Sequence, residues 1–150
     1  MDRENELREL IIAEAHKLLK TPFRHRGRTR HGLDCLGLCW LAYRRAGIEG
    51  LPDSDGKVYE PNWFWFVDKS KYLANLLKYF EYTDNPKIGD LVTFKCYKKI
   101  VTHAGIFDRN NTFIHCESGK CVDITLLNHR YWGSEKVFNG YLVYKGFLNS

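Results

Sequence analysis

Cys35 lies within the stretch Gly32-Leu33-Asp34-Cys35-Leu36-Gly37-Leu38-Cys39-Trp40, which has the form of a nucleophile at a helix start. Gly32 favours a turn, Asp34 is a good N-cap, and Cys35 falls on the first helical position. Unpaired N–H groups and the positive helix end meet there. A cysteine so placed is expected to drop from its ordinary pKa of about 8.5 toward the reactive thiolate. Such a thiol needs a base to take its proton and a third group to orient that base. In Val101-Thr102-His103-Ala104-Gly105-Ile106-Phe107, strand alternation puts His103 on one face with Gly105, a small neighbour that leaves room for another group. If Arg109–Asn111 form a three-residue turn, Asp108 faces Thr112 and Gly105 faces His115. His103 and His115 then share a face, and a one-residue slip would separate them. Cys35, His103 and His115 are thus the candidate nucleophile, base and orienter.

Other readings of the same residue types stand beside this one. His25 and His31 are rival bases, although loop residues just before a nucleophile are poorly placed to be held rigidly. His103, His115, Cys116 and Cys121, with Cys96 nearby, are legal zinc ligands. Their spacing forms no paired-knuckle pattern, and Cys116 would point away from His115 along a strand. No metal or other cofactor is expected. Cys39, one turn below Cys35, reads as a small buried apolar residue. His16 reads as a surface or packing histidine, and Tyr131-Trp132-Gly133 with His129 as a structural loop. The basic run Phe23–His31 could hold phosphate, be a solvated loop, or line the cleft and meet an anionic substrate group. It is short and lacks interleaved aromatics, so nucleic acid is not expected as a partner.

The elements that must carry these residues follow from periodicity. Residues 4–20 form an amphipathic helix ended by Thr21-Pro22, and a second, largely buried helix runs from Cys35 to the Arg44-Arg45-Ala46-Gly47 stop. Residues 47–68 are irregular, with a dense aromatic cluster at Asn62–Val67, and residues 69–80 read as a third helix. Short β-rich runs follow at Leu91–Tyr97, Ile100–Asp108, Thr112–Cys116, Cys121–Leu126 and Tyr141–Phe147. Helices first and an antiparallel sheet of five to six strands second is an α+β pattern.

The 150 residues carry no internal repeat, low-complexity tract or linker, so one domain over 1–150 is expected. The net charge of +5 permits an acidic partner but requires none. No apolar run approaches the ~20 residues of a membrane span, and no membrane partner is expected. The charged start Met1-Asp2-Arg3-Glu4 lacks an export-signal pattern, so synthesis in the cytoplasm is expected. Five scattered cysteines favour free thiols over a disulfide framework.

Five motifs occur in order: Thr21-Pro22-Phe23, Gly32–Leu38, Ile88-Gly89-Asp90-Leu91-Val92-Thr93-Phe94, Thr102–Ile106 and Phe113-Ile114-His115. Together they resemble the NlpC-type papain-like cysteine peptidases of bacterial cell walls, over roughly residues 8–145. Arg24–Arg28 and Leu36 are closer to the branch found in phage tails and phage-like particles. The resemblance implies a papain-like fold with Cys35 as nucleophile, His103 as base and His115 as orienter. It implies hydrolysis of peptidoglycan stem peptides, typically after γ-D-glutamate, with Phe23 and Asp34 at the substrate; Asp34 matches an aspartate that helps receive the free amine. Phage-tail proteins are implied partners, and a virion tail or delivery to the cell wall or periplasm is the implied location. Phe23 stands where the family usually has tyrosine, and Leu36 where it usually has serine. The alternatives are an idle structural or binding tail protein, and a cysteine amidase or acyltransferase acting on another acyl group.

Overall fold

A computed structural model describes residues 2–51, 71–97 and 99–148. The aromatic cluster at 62–67 lies outside them. Helix α1 (Arg3–Lys17) begins on Asp2, whose side chain accepts the Asn5 N–H. A small hairpin, β1 (Arg28–Thr29) and β2 (Gly32–Leu33), leads into helix α2 (Cys35–Arg45). Helix α3 (Lys71–Leu76) precedes β3 (Phe80–Thr83), β4 (Leu91–Tyr97), β5 (Ile100–Asp108), β6 (Thr112–Cys116), β7 (Val122–Leu126) and β8 (Phe138–Tyr144). The main sheet is antiparallel in the order β3-β8-β4-β5-β6-β7, the α+β arrangement expected.

Helix α2 is closed at both ends by its own sequence. Asp34 caps the start by accepting the Gly37 N–H at 2.7 Å. At the other end the Gly47 N–H reaches Arg44 O and the Ile48 N–H reaches Tyr43 O. This pairing needs a left-handed residue, and Gly47 supplies it with φ +105°. Leu38, Ala42 and Tyr43 on this helix are fully buried. They pack with Ile11 and Ala15 of α1 and its C-cap Leu18 on the face of the sheet that carries Leu91, Ala104, Ile106, Ile114 and Leu142. The opposite face holds a second cluster, Val92, Phe94, Phe113, Leu127, Trp132 and Val137.

Helix α1 is tied to the turn before β4 through buried charge. Arg8 donates to Asp90 at 2.7 Å and to Ile88 O at 3.0 Å, and its guanidinium lies over the Phe147 ring. The Tyr43 hydroxyl donates to Gly89 O in the same turn. Several boundaries differ from the sequence reading: α1 ends at Lys17 and not at residue 20, β7 starts at Val122 and β8 at Phe138, and β3 is a strand where none is expected. Residues 77–80 leave the third helix early, because Phe80 pairs with Tyr144 and packs edge-on against Tyr43. The last strand ends at Tyr144, and Lys145–Phe147 coil into a 3-10 turn. Among the described residues no helix is long and apolar enough to cross a membrane.

Candidate active site

The β5–β6 hairpin has the register argued from its turn. Asp108 pairs with Thr112 and Ile106 with Ile114, and Asn110 and Asn111 take the positive φ that the turn requires. His103 and His115 therefore meet on one face. Gly105 makes this approach possible: a Cβ there would lie 2.7 Å from Ile114 O and 3.1 Å from the His115 Cβ. His103 Nε2 lies 2.8 Å from His115 Nδ1, and His115 Nε2 lies 3.0 Å from Thr125 Oγ1 on β7.

One assignment of protons satisfies both contacts and leaves a base. His103 Nε2–H donates to His115 Nδ1, and His115 Nε2–H donates to Thr125. His103 Nδ1 is then the unprotonated nitrogen, the one able to accept a proton. Both imidazoles are buried. Burial holds His103 well below its ordinary pKa, with the His115 charge adding to the effect, and lowers His115 to about 4. His115 thus remains a neutral acceptor near neutral pH, as an orienter must.

Cys35 comes to this hairpin from the other side. Helix α2 packs on β5, and the backbone of Ala104, the residue after His103, lies near enough to the Cys35 sulfur to favour its ionised form. Tyr72 Oη on α3 lies 3.5 Å from the sulfur. The thiolate expected at rest is not what this environment favours: burial pushes the Cys35 thiol up to about 12, and the neighbouring Asp34 carboxylate adds to the rise. The same carboxylate already neutralises the helix start by accepting from Gly37, so the dipole has little left to offer the sulfur. The resting pair is a thiol and a neutral imidazole.

Asp34 is itself heavily engaged. Its Oδ1 also accepts from Arg28 at 2.8 Å, and its Oδ2 accepts from the Arg26 N–H at 3.0 Å. Phe23 is half-buried against the main core, bridged to Leu33 and held by its N–H to Lys120 O. The loop before the nucleophile lies directly on α2, where a Cβ on Gly37 would come within 2.0 Å of Gly27 O.

The remaining candidates fall elsewhere. His31 is exposed on the β1–β2 hairpin, and His16 pairs with Asp108 at 2.6 Å, five residues along β5 from His103. Cys116 turns to the helix side and donates to Leu33 O at 3.2 Å, while both His115 nitrogens are engaged. Among the described residues no group of three or more His, Cys, Asp or Glu side chains could hold a metal ion. Cys39 is buried, as expected. His129 is structural: its Nδ1 accepts the N–H of Tyr131 at 3.0 Å and lies 3.4 Å from that of Trp132.

Sequence reasoning missed three participants. Trp132, read as part of a structural loop, packs on both histidines, with ring centroids 4.9 Å from His103 and 4.8 Å from His115. Thr125 could have been found from the hairpin register, since its strand neighbour Asp123 pairs with His115. Tyr72, within the expected third helix, gave no signal that it reaches a cysteine 37 positions away.

The sequence profile described as the NlpC/P60 family matches residues 20–140. The chain belongs to this family. Among NlpC/P60 relatives, the probable peptidoglycan endopeptidase LytE of Bacillus subtilis is 31% identical over 122 residues, which is 81% of this chain and 30% of that protein. The probable endopeptidase NlpC of Escherichia coli is 32% identical over 113 residues, covering 75% of this chain and 63% of that one. The chain therefore spans less than two thirds of either relative. A solved NLP/P60-family structure from Staphylococcus aureus, similar to a lipoprotein, superposes with a TM-score of 0.65 at 24% identity. It covers 95% of this chain and 42% of the other, and establishes the papain-like fold.

Proposed function

We propose that this NlpC/P60 protein is a cysteine peptidase that hydrolyses an amide bond in peptidoglycan stem peptides. The observation that carries the reading is the hydrogen-bonded series His103–His115–Thr125, set beside a thiol at the head of α2. The Cys35 S–H gives its proton to His103 Nδ1 as the sulfur attacks the amide carbonyl carbon. The carbonyl electron pair moves to oxygen, where the Cys35 N–H at the helix start donates to it. Collapse breaks the C–N bond, and the leaving nitrogen takes the proton from His103. Water, deprotonated by His103, then cleaves the thioester and returns the thiol. Because the resting pair is neutral, the charges on His103 and on the oxyanion appear only as the carbon–sulfur bond forms.

Cleavage after γ-D-glutamate is the finer part of the proposal, with Phe23 and Asp34 at the substrate. It rests on the ordered motifs that match the cell-wall peptidases. Action on the wall from a phage tail, with other tail proteins as partners, rests on Arg24–Arg28 and Leu36. Defined peptidoglycan fragments from several wall types, digested and read by mass spectrometry, test the reaction. The expected product is a new amine and a new carboxyl group at one bond. Cys35→Ala and His103→Ala should abolish turnover with the fold intact, and His115→Ala should lose about 10²-fold. Wild-type activity in Cys35→Ala would refute the proposal.

A further inference from the structure

We propose that the Tyr72 hydroxyl is a catalytic group of this site, donating a hydrogen bond to the Cys35 sulfur as negative charge develops there. The inference rests on Cys35 being the nucleophile. Its geometric basis is the 3.5 Å contact between Tyr72 Oη and Cys35 Sγ, a normal hydrogen-bond separation for sulfur.

The site needs such a donor. Two amides at the start of α2 are already in use: the Gly37 N–H goes to the Asp34 carboxylate and the Leu38 N–H to Asp34 O. Burial and the Asp34 charge both oppose a thiolate; the Tyr72 hydroxyl, hydrogen-bonded to the sulfur, works against them, as does the nearby Ala104 backbone. Tyr72 is suited to donate. Burial and the neighbouring thiols hold its phenol well above the ordinary range, so it keeps its proton wherever the enzyme works. Its position is fixed too. Tyr72, Leu73, Leu76 and Leu77 pack against the main core, and α3 contacts β5, so the ring is anchored beside the strand that carries His103.

The alternative is a ring that only fills space. Tyr72→Phe separates the two, because it removes one oxygen and keeps the packing, and Tyr72→Ala removes both. In the full chain, iodoacetamide labelling of Cys35 is followed by peptide mass spectrometry between pH 7 and 9.5, with thermal melts as a check of the fold. A hydrogen bond to an ionised group corresponds to about ten- to a hundredfold in thiolate fraction. The more basic thiolate is a better nucleophile, so labelling should slow by about three- to tenfold in Tyr72→Phe. On peptidoglycan fragments kcat should fall about ten- to a hundredfold with KM little changed.

Labelling of Tyr72→Phe at the wild-type rate would overturn the proposal. So would a loss confined to Tyr72→Ala, which would make the ring mere packing. A raised KM with kcat and labelling unchanged would also overturn it, and would make Tyr72 a substrate contact. Labelling needs no substrate. If Cys35→Ala cleaved fragments like wild type, the peptidase reading would fail while the Tyr72 contact was still judged on its own rates.

Discussion

Acid should destabilise this protein through its histidine pair, by an amount the geometry sets. His115 has a folded pKa of about 4, against 6.5 for the free side chain, because burial opposes its charge. A base whose folded pKa is lowered binds fewer protons in the native state than in the unfolded one. Stability is therefore full above about pH 6.5, falls as pH drops through the window from 6.5 to 4, and levels below it. The whole window is worth about 3 kcal/mol, and the part between pH 7.5 and 5.0 about 2 kcal/mol. His103 is shifted in the same direction and adds to this. For a chain of this size 2 kcal/mol corresponds to roughly 4–8 °C in Tm. The assay is a set of thermal melts at pH 7.5 and 5.0 on wild type and His115→Asn, which keeps a polar side chain but cannot titrate. The variant should lose most of the His115 share of the drop. Asp90, whose carboxyl is raised by burial, acts with the opposite sign but equally in both proteins. Tm differences between the two pH values that match in wild type and variant would refute the reasoning.

Other outcomes can be checked on the purified protein. Arg8→Met should destabilise by about 3–5 kcal/mol in urea denaturation, because it leaves the Asp90 carboxylate buried without its cation. Gly37→Ala should cost at least about 1–3 kcal/mol, since the new methyl group meets the Gly27 carbonyl and must push the preceding loop off α2. Proteolysis within residues 24–33 of that variant would show the displacement. Wild-type Cys35 should react slowly with iodoacetamide at pH 7, given a thiol pushed up to about 12; labelling as fast as that of an activated thiolate would contradict the neutral resting pair.

The parts of this site that were legible in the sequence are those fixed by local rules. A cap, a glycine stop and an apolar run define α2, and a three-residue turn with two asparagines fixes which face His115 takes. The protonation state of Cys35 was not legible. A local reading weighs the helix start against an isolated thiol, whereas the sulfur's surroundings come from β5 and α3, and their desolvation outweighs the dipole. Tyr72 and Trp132 were missed for the same reason: both reach the site across long stretches of chain, and their types are equally at home in a core. The early exit from the third helix has a tertiary cause as well, since Phe80 gains a strand partner and two aromatic neighbours.

Arg28 sits on the carboxylate that the proposed reaction offers to a substrate amine. If Asp34 receives a substrate amine as proposed, an incoming ammonium would trade places with a guanidinium, and recognition would be a competition between two cations instead of simple capture. The preference for a free amine over a blocked one would then be set by how readily Arg28 yields, with the arginine as a built-in rival ligand for each stem peptide.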